Sequence, residues 1–382
     1  MKIAYIIYSI SNMTGIERMF VAQMNYLAEN CGYGVTLLTY DQGDSPDAYP
    51  LSNSVRHIDF GIKRFHVYRY PALLRPLIMW KWNRRLQRCI TNIICEIAPD
   101  IVVCSSYEIS EMRIVLSLKD VGRVVQVHSS YAQSGGSLRS RRIEHSLKLW
   151  YRRIFLFRRA VGLVCRFDRI VTLTQGDARL WDSPRVVVIP NPLMIEVPVQ
   201  PVWRKKKIVA VGSLLLLKGF DMLLEVWAKV CDSHPDWQLE ITGEGLEEPF
   251  LRQQMQSLPR VRILPRTNDI TSRYMAGEIF TMTSRYEGFG LVLLEAMACG
   301  LAPVAFDCDF GPREMITDEH DGYLVPLGDI NMFAERLSFL MEHEDVRLQI
   351  GANAIEKSKR FLPQEILPKF KQLYESLMAP SV

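Results

Sequence analysis

The sequence predicts a two-domain α/β protein in which each half is a doubly wound, Rossmann-like parallel sheet. Three observations carry that prediction. The chain has 382 residues, more than one hydrophobic core ordinarily organises. Short apolar runs rich in β-branched residues alternate with longer stretches of helical period through both halves. Between the halves, Pro190, Pro192, Pro198 and Pro201 crowd a stretch that can continue neither a helix nor a central strand. Strands apolar on both faces and separated by helices belong to parallel sheets covered on both sides.

The elements follow in order. A first buried strand is expected at 2–8; its apolar run is too short for a secretory signal and ends in polar Ser9, Ser11 and Asn12. Ile16, Met19, Phe20, Met24 and Leu27 then recur at helical spacing over 16–30. Strands at 34–40, 100–104, 123–127 and 169–173 complete a first domain, 1–190, and residues 191–206 form the linker. The second domain, 207–362, has strands at 207–211, 237–242, 261–264, 278–283 and 302–306. Its helices are expected at 219–232, 247–257 and 291–299. From 363 to 382 the stripe Ile366, Leu367, Phe370, Leu373, Tyr374 and Leu377 predicts a last helix that can cross back to the first domain. The apolar stretch from Phe289 to Phe306 contains Glu295, Gly300 and Pro303, so it reads as helix, turn and strand and not as a membrane span.

With 48% hydrophobic and 23% charged residues, disorder and fibrous repeats are excluded. The net charge of +4 conceals an asymmetry, because residues 1–200 carry an excess of Lys and Arg and the remainder an excess of Asp and Glu. Between Asp59 and Glu96 the chain has Lys63, Arg64, Arg69, Arg75, Lys81, Arg84, Arg85 and Arg88 and no acidic residue, interleaved with Phe65, Tyr68, Tyr70, Trp80 and Trp82. A second basic and aromatic cluster spans 139–169. Such mixtures suit an anionic bilayer surface; a solvated basic face is the plain alternative. No nucleic-acid-binding motif accompanies the charge, so nucleic acid is not expected as a partner. The 8 cysteines form no C-x-x-C pair and the 7 histidines no metal-ligand spacing. Free thiols in a reducing, cytoplasmic compartment and no metal are therefore expected.

The most informative stretch runs from Thr283 to Met297. It reads strand, turn with Gly288 and Gly290, then helix. Such a turn lets a ligand approach the backbone, and the N–H groups opening the helix suit an anion. Glu287 in the turn and Glu295 on the helix can face one crevice, where carboxylates accept paired hydrogen bonds from sugar hydroxyls. A solvated turn glutamate and a helix-start glutamate favoured by the macrodipole are the plain alternative. Upstream, Lys218 lies between a strand end and a helix start, as a point charge for a diphosphate or as a solvated lysine. Asp307-Cys308-Asp309 has the form of a metal-binding D-x-D, but it follows a buried strand and is not expected to hold a metal.

Taken together, these segments resemble the family 4 retaining glycosyltransferases of GT-B fold, particularly the bacterial surface-polysaccharide and lipopolysaccharide type. The resemblance runs through V-G-S-(x)4-K-G at 211–219, I-T-G-E-G at 241–245, E-G-F-G-(x)4-E-A-M-A-C-G at 287–300, G-P-R-E at 311–314 and D-G-Y-L-V-P at 321–326. The first half is similar more loosely, through Thr14-Gly15-Ile16-Glu17-Arg18 and His128. The resemblance implies two domains facing a central cleft, a nucleotide-diphosphate-sugar donor (UDP- or GDP-sugar) on the second, and a glycan or lipid-linked acceptor on the first. It implies a ribose on Glu295 and donor-sugar hydroxyls on Glu287, with backbone N–H groups of Phe289, Gly290, Leu291 and Val292 assisting. Lys218 would neutralise the diphosphate, with Gly15 letting the first-domain loop approach it. His128 would line the sugar near its anomeric carbon, and Arg266 would sit by the base. It also implies retention of anomeric configuration. No cofactor or metal is expected, because Lys218 and the helix start at Leu291 supply positive potential, and the basic and aromatic clusters point to work at the inner face of the plasma membrane. Ser213 stands where the family often has Arg, and Thr14 where it often has a first Gly. A sugar-nucleotide epimerase of the same fold and a non-catalytic membrane-surface module are the rival readings. A nicotinamide oxidoreductase would need a G-x-G-x-x-G after the first strand, which Ser11 to Gly15 does not supply.

Overall fold

The computed structural model describes residues 1–11, 15–128, 158–197 and 206–378. Thr14, most of the second basic cluster, the linker core at 198–205 and residues 379–382 lie outside the described residues.

The first sheet consists of β1 (Lys2–Ile7), β2 (Gly34–Thr39), β3 (Val55–Asp59), β4 (Ile101–Ser105), β5 (Gly122–Gln126), β6 (Arg169–Thr172) and β7 (Val186–Val188). The second consists of β8 (Lys207–Val211), β9 (Gln238–Thr242), β10 (Val261–Leu264), β11 (Ile279–Met282), β12 (Ala302–Asp307) and β13 (Tyr323–Pro326). Their orders are β3-β2-β1-β4-β5-β6-β7 and β10-β9-β8-β11-β12-β13, with every pairing parallel. Both are doubly wound sheets of Rossmann order, α/β throughout. The expected strands all form, within a residue or two of their expected ends. Three others were not expected: β3 is a half-exposed edge strand whose apolar residues are broken by Arg56, His57 and Asp59, and β7 and β13 are apolar edge strands of only three and four residues, too short to stand out as strands. The segment 321–326, read as a loop motif, therefore includes a sheet edge.

Packing follows the sequence pattern. In the helix Gly15–Glu29 the buried face is Met19, Phe20, Val21, Met24 and Leu27, and buried Gln23 exchanges two hydrogen bonds with Gln126 at the end of β5. In the second domain Trp227, Phe333 and Leu337 close over Ile208, Leu239 and Val304. The helix Pro363–Met378 packs on the first domain. Its Ile366, Phe370, Leu373 and Tyr374 share a cluster with Ile3, Tyr5 and Phe20, and the hydroxyls of Tyr5 and Tyr374 are 3.0 Å apart. Among the described residues no helix is long and apolar enough to cross a membrane.

The strand order reverses between β1 and β4 and again between β8 and β11. At such switch points the loops leaving the carboxyl ends diverge and open a crevice. Both crevices give onto one cleft of about 1650 Å³, lined from the first side by Gly15, Arg18 and Tyr49 and from the second by Ser213, Lys218, Arg266 and Glu295.

Candidate active site

The second domain's side of the cleft is set by backbone packing. Gly219 has φ +64°, and a Cβ there would lie 1.9 Å from the Thr283 carbonyl oxygen. The turn after β8 is thus pressed against the end of β11, a distance no other residue tolerates. Lys218 is thereby carried to Glu287, with Nζ 2.5 Å from Oε1. The same oxygen accepts from Ser284 Oγ at 2.7 Å. Behind this pair Arg285 donates two hydrogen bonds to Asp221, at 2.7 and 2.8 Å, fixing the turn to the following helix.

Gly290, at φ +92°, opens the helix Leu291–Ala298. Leu291 and Val292 line the cleft, so the positive end of this helix faces it. Phe289 points the other way, buried edge-on against Phe361 with ring centroids 5.8 Å apart. One turn into the helix, Glu295 is buried. Tyr274 donates its hydroxyl to Oε2 at 3.0 Å, and Arg18 of the first domain donates Nη1 to Oε1 at 3.1 Å. Burial pushes the Glu295 carboxyl up, opposed by the Arg18 charge and the two donors. The other Arg18 nitrogen donates to the Met194 carbonyl. At Gly15 an added Cβ would lie 2.7 Å from Leu291 Cδ1, so the first turns of the Gly15–Glu29 and Leu291–Ala298 helices meet across the cleft.

A second contact between the domains lies beside Glu287. Phe310 has φ +73° and ψ −51°, and the Gly311 N–H donates to the Asp309 carbonyl at 3.1 Å. This is a γ-turn of the strained sense, a geometry that persists only when surrounding structure imposes it. Phe310 bridges to Glu287 and its ring abuts Gly176 of the first domain, where a Cβ would come within 2.7 Å. Glu314 accepts from the Gly176 N–H at 3.0 Å. Asp307 is held by Arg313. Among the described residues no group of three His, Cys, Asp or Glu converges as a metal cage.

His128 lies apart from the cleft lining. Its ring packs edge-on against Phe20 at 5.0 Å. Burial pushes its pKa down to about 4, so it is neutral at pH 7, and neither ring nitrogen has a partner among the described residues. Of the residues singled out in the sequence, Gly15, Ser213, Lys218, Arg266, Leu291, Val292 and Glu295 share the cleft. Glu287 stands directly behind Lys218, Gly290 sets the helix start, and the Phe289 side chain belongs to the core. Arg18, Tyr274, Tyr49 and the Glu314–Gly176 contact were not singled out. Only Arg18 had a usable signal, as a long cation one turn after a glycine at a helix start.

Fold and cleft together place the chain among the two-domain α/β glycosyltransferases. It belongs to the family 4 glycosyltransferases of GT-B fold. The family described as "Glycosyltransferase Family 4" matches residues 13–196, and "Glycosyl transferases group 1" matches residues 198–357. An uncharacterised glycosyltransferase of Haemophilus influenzae is 27% identical, over 97% of this chain and 99% of its own length. The amylovoran biosynthesis glycosyltransferase AmsD of Erwinia amylovora is 26% identical with the same coverage. Among solved structures, a sucrose-phosphate synthase from Thermosynechococcus elongatus superposes with TM-score 0.79 at 18% identity, over 100% of both chains. WaaG, titled a glycosyltransferase involved in lipopolysaccharide biosynthesis, superposes with TM-score 0.70 at 18% identity, over 97% of this chain and 99% of its own. At these identities the two structures show the shared fold.

Proposed function

We propose that this chain is a retaining, metal-independent hexosyltransferase of cell-surface polysaccharide or lipopolysaccharide synthesis. Its donor is a UDP- or GDP-sugar, and its acceptor a glycan or lipid-linked saccharide. The observation that carries the reading is the pairing of two glutamates, one lining the cleft and one directly behind its lysine, with cations beside helix N-termini: Glu295 with Arg18 at 3.1 Å and Glu287 with Lys218 at 2.5 Å. A donor of this class presents sugar hydroxyls, a ribose diol and a diphosphate of opposite electrostatic demand. Glu287 and Glu295 accept from the hydroxyls, while Lys218 and the helix start at Leu291 stabilise charge on the departing phosphate. In front-face transfer the anomeric carbon–oxygen bond to phosphate breaks, and the acceptor oxygen bonds to the same face. A phosphate oxygen takes the acceptor proton. The relative AmsD, named for amylovoran biosynthesis, supports the polysaccharide assignment.

The first domain supports a membrane-proximal acceptor. The helix Arg75–Ile97 and the segment before it expose Leu73 (94%), Leu77 (55%) and Trp80 (51%), next to exposed Lys81, Arg84, Arg85 and Arg88. An apolar edge ringed by cations fits the cytoplasmic face of an anionic bilayer. Thermal-shift screening with UDP, GDP, ADP and their sugars tests the donor reading, and no stabilisation by any of them defeats it. An inverted anomeric product by NMR defeats retention. Equal recovery from flotation with anionic and neutral liposomes defeats membrane attachment.

A further inference from the structure

Ser213 lines the cleft where the resemblance leads one to expect an arginine, and Arg285, the cation packed behind the Lys218 turn, is committed to Asp221 and the Leu216 carbonyl. Lys218 is itself occupied by Glu287. The other carboxylate has a cation too, and this one is borrowed. Arg18 comes from the opposite domain, part-exposed at 24%, against a Glu295 side chain at 10%. The two carboxylates that the donor's hydroxyls claim are thus each paired with a cation, and binding of those hydroxyls competes with two ion pairs.

We infer that Arg18 is the second cation for the donor diphosphate, and that the ribose hydroxyls take its place on Glu295. The inference rests on the nucleotide-sugar reading above. Arg18 lies in the first turn of the Gly15–Glu29 helix, and helical side chains lean toward the N-terminus. A guanidinium leaving Glu295 therefore stays beside Gly15 and Leu291, where the two helix starts meet. Its planar fork suits two phosphate oxygens, which a serine hydroxyl cannot match. Arg266 shares the cleft but follows β10, at the outer edge of the sheet, whereas Lys218 and Leu291 follow β8 and β11 at its centre. Arg266 thus belongs to the base end. Because Arg18 reaches across from the first domain, the diphosphate would be gripped by both domains at once.

The test is calorimetric titration of the full chain with UDP, GDP and ADP, with the matching nucleosides followed by ligand-observed NMR. Arg18→Gln should weaken the preferred nucleoside diphosphate roughly 10- to 100-fold, as expected for loss of a charge-assisted bond. Nucleoside binding should hold or tighten, because Glu295 is freed. Arg18→Lys should recover part of the loss, and its melting temperature shows that the fold is intact. Unchanged diphosphate affinity in Arg18→Gln overturns the inference. So does an equal loss for nucleoside and diphosphate, which makes Arg18 only a support for Glu295. A diphosphate-selective loss in Arg266→Gln with none in Arg18→Gln assigns the role elsewhere. If the wild type binds no nucleotide, the donor reading falls first and this inference with it.

Discussion

The two domains share one strand order and both open onto the cleft at the reversal, but they differ in how the polar groups beyond their strand ends are used. In the first, the groups beyond β2 and β4 are closed on one another. Tyr40 donates to Glu111, the Arg64 backbone N–H to Asp41, and the Arg64 guanidinium to Glu108 at 3.2 Å while lying over the Tyr40 ring. In the second, Lys218 and Glu295 open on a shared cleft. Topology locates a crevice; short glycine turns and helix starts decide whether paired charges reach it, as Lys218, Arg18 and Glu295 do. The first domain also depends on a helix from beyond the second, whereas the second draws its main core from residues 208–350.

Four experiments can break or sharpen this contrast. The largest effect is expected from Tyr374→Ala, which empties a buried site in the first domain's core and strips Tyr5 of its partner. A loss of about 3–5 kcal/mol is expected in chemical denaturation. A loss below about 1 kcal/mol would mean that the first domain does not need the returning helix. Lys218→Ala should lower kcat by roughly 10²–10³, the scale of a lost charge-stabilising donor. Its melting temperature should stay close to wild type, since the lysine is part-exposed; parallel loss of both would make it structural.

The third concerns pH. Burial pushes Glu111 up from 4.5 to about 8, so the folded chain holds a proton there that the unfolded chain has lost. Between pH 4.5 and 8 this group's stabilisation is therefore lost as pH rises. His128 runs the other way: its depressed pKa of about 4 makes stability rise from pH 4 to 6.5 and no further. Between pH 6.5 and 8 the Glu111 effect stands without His128. Glu111→Gln should remove a decline of about 1–2 kcal/mol there, and parallel stability curves for wild type and variant would refute the assignment. The smallest effect is expected from a chelator. EDTA should leave the transfer rate within about twofold, because the charges at the leaving group are those of the protein; rescue by added Mg²⁺ or Mn²⁺ would reopen Asp307 and Asp309.

Much of the second domain was legible because its constraints are local. The Gly288–Gly290 turn, the helix after it and the eight-residue step from Glu287 to Glu295 are fixed within one strand–turn–helix unit. Central strands were legible for a similar reason, since burial on both faces leaves a continuous apolar run. The edge strand β3 carries no such mark, and in β7 and β13 the run is only three or four residues long. Nor could sequence reveal that Arg18 meets Glu295, 277 positions away, because that pairing depends on how two domains face each other. His128 was legible as a residue after a strand, but that its ring nitrogens have no partner among the described residues is a property of what packs around it.

The helix Pro363–Met378 gives the molecule an order of assembly. A nascent chain emerges from its first residue, and cores close as their members appear. The second domain's principal cluster is complete once residue 350 is available. The cluster around Ile3 and Tyr5 waits for Tyr374. The half of the protein made first is thus the half finished last: through most of synthesis the helix Gly15–Glu29 covers its sheet face without the second helix that completes the cluster.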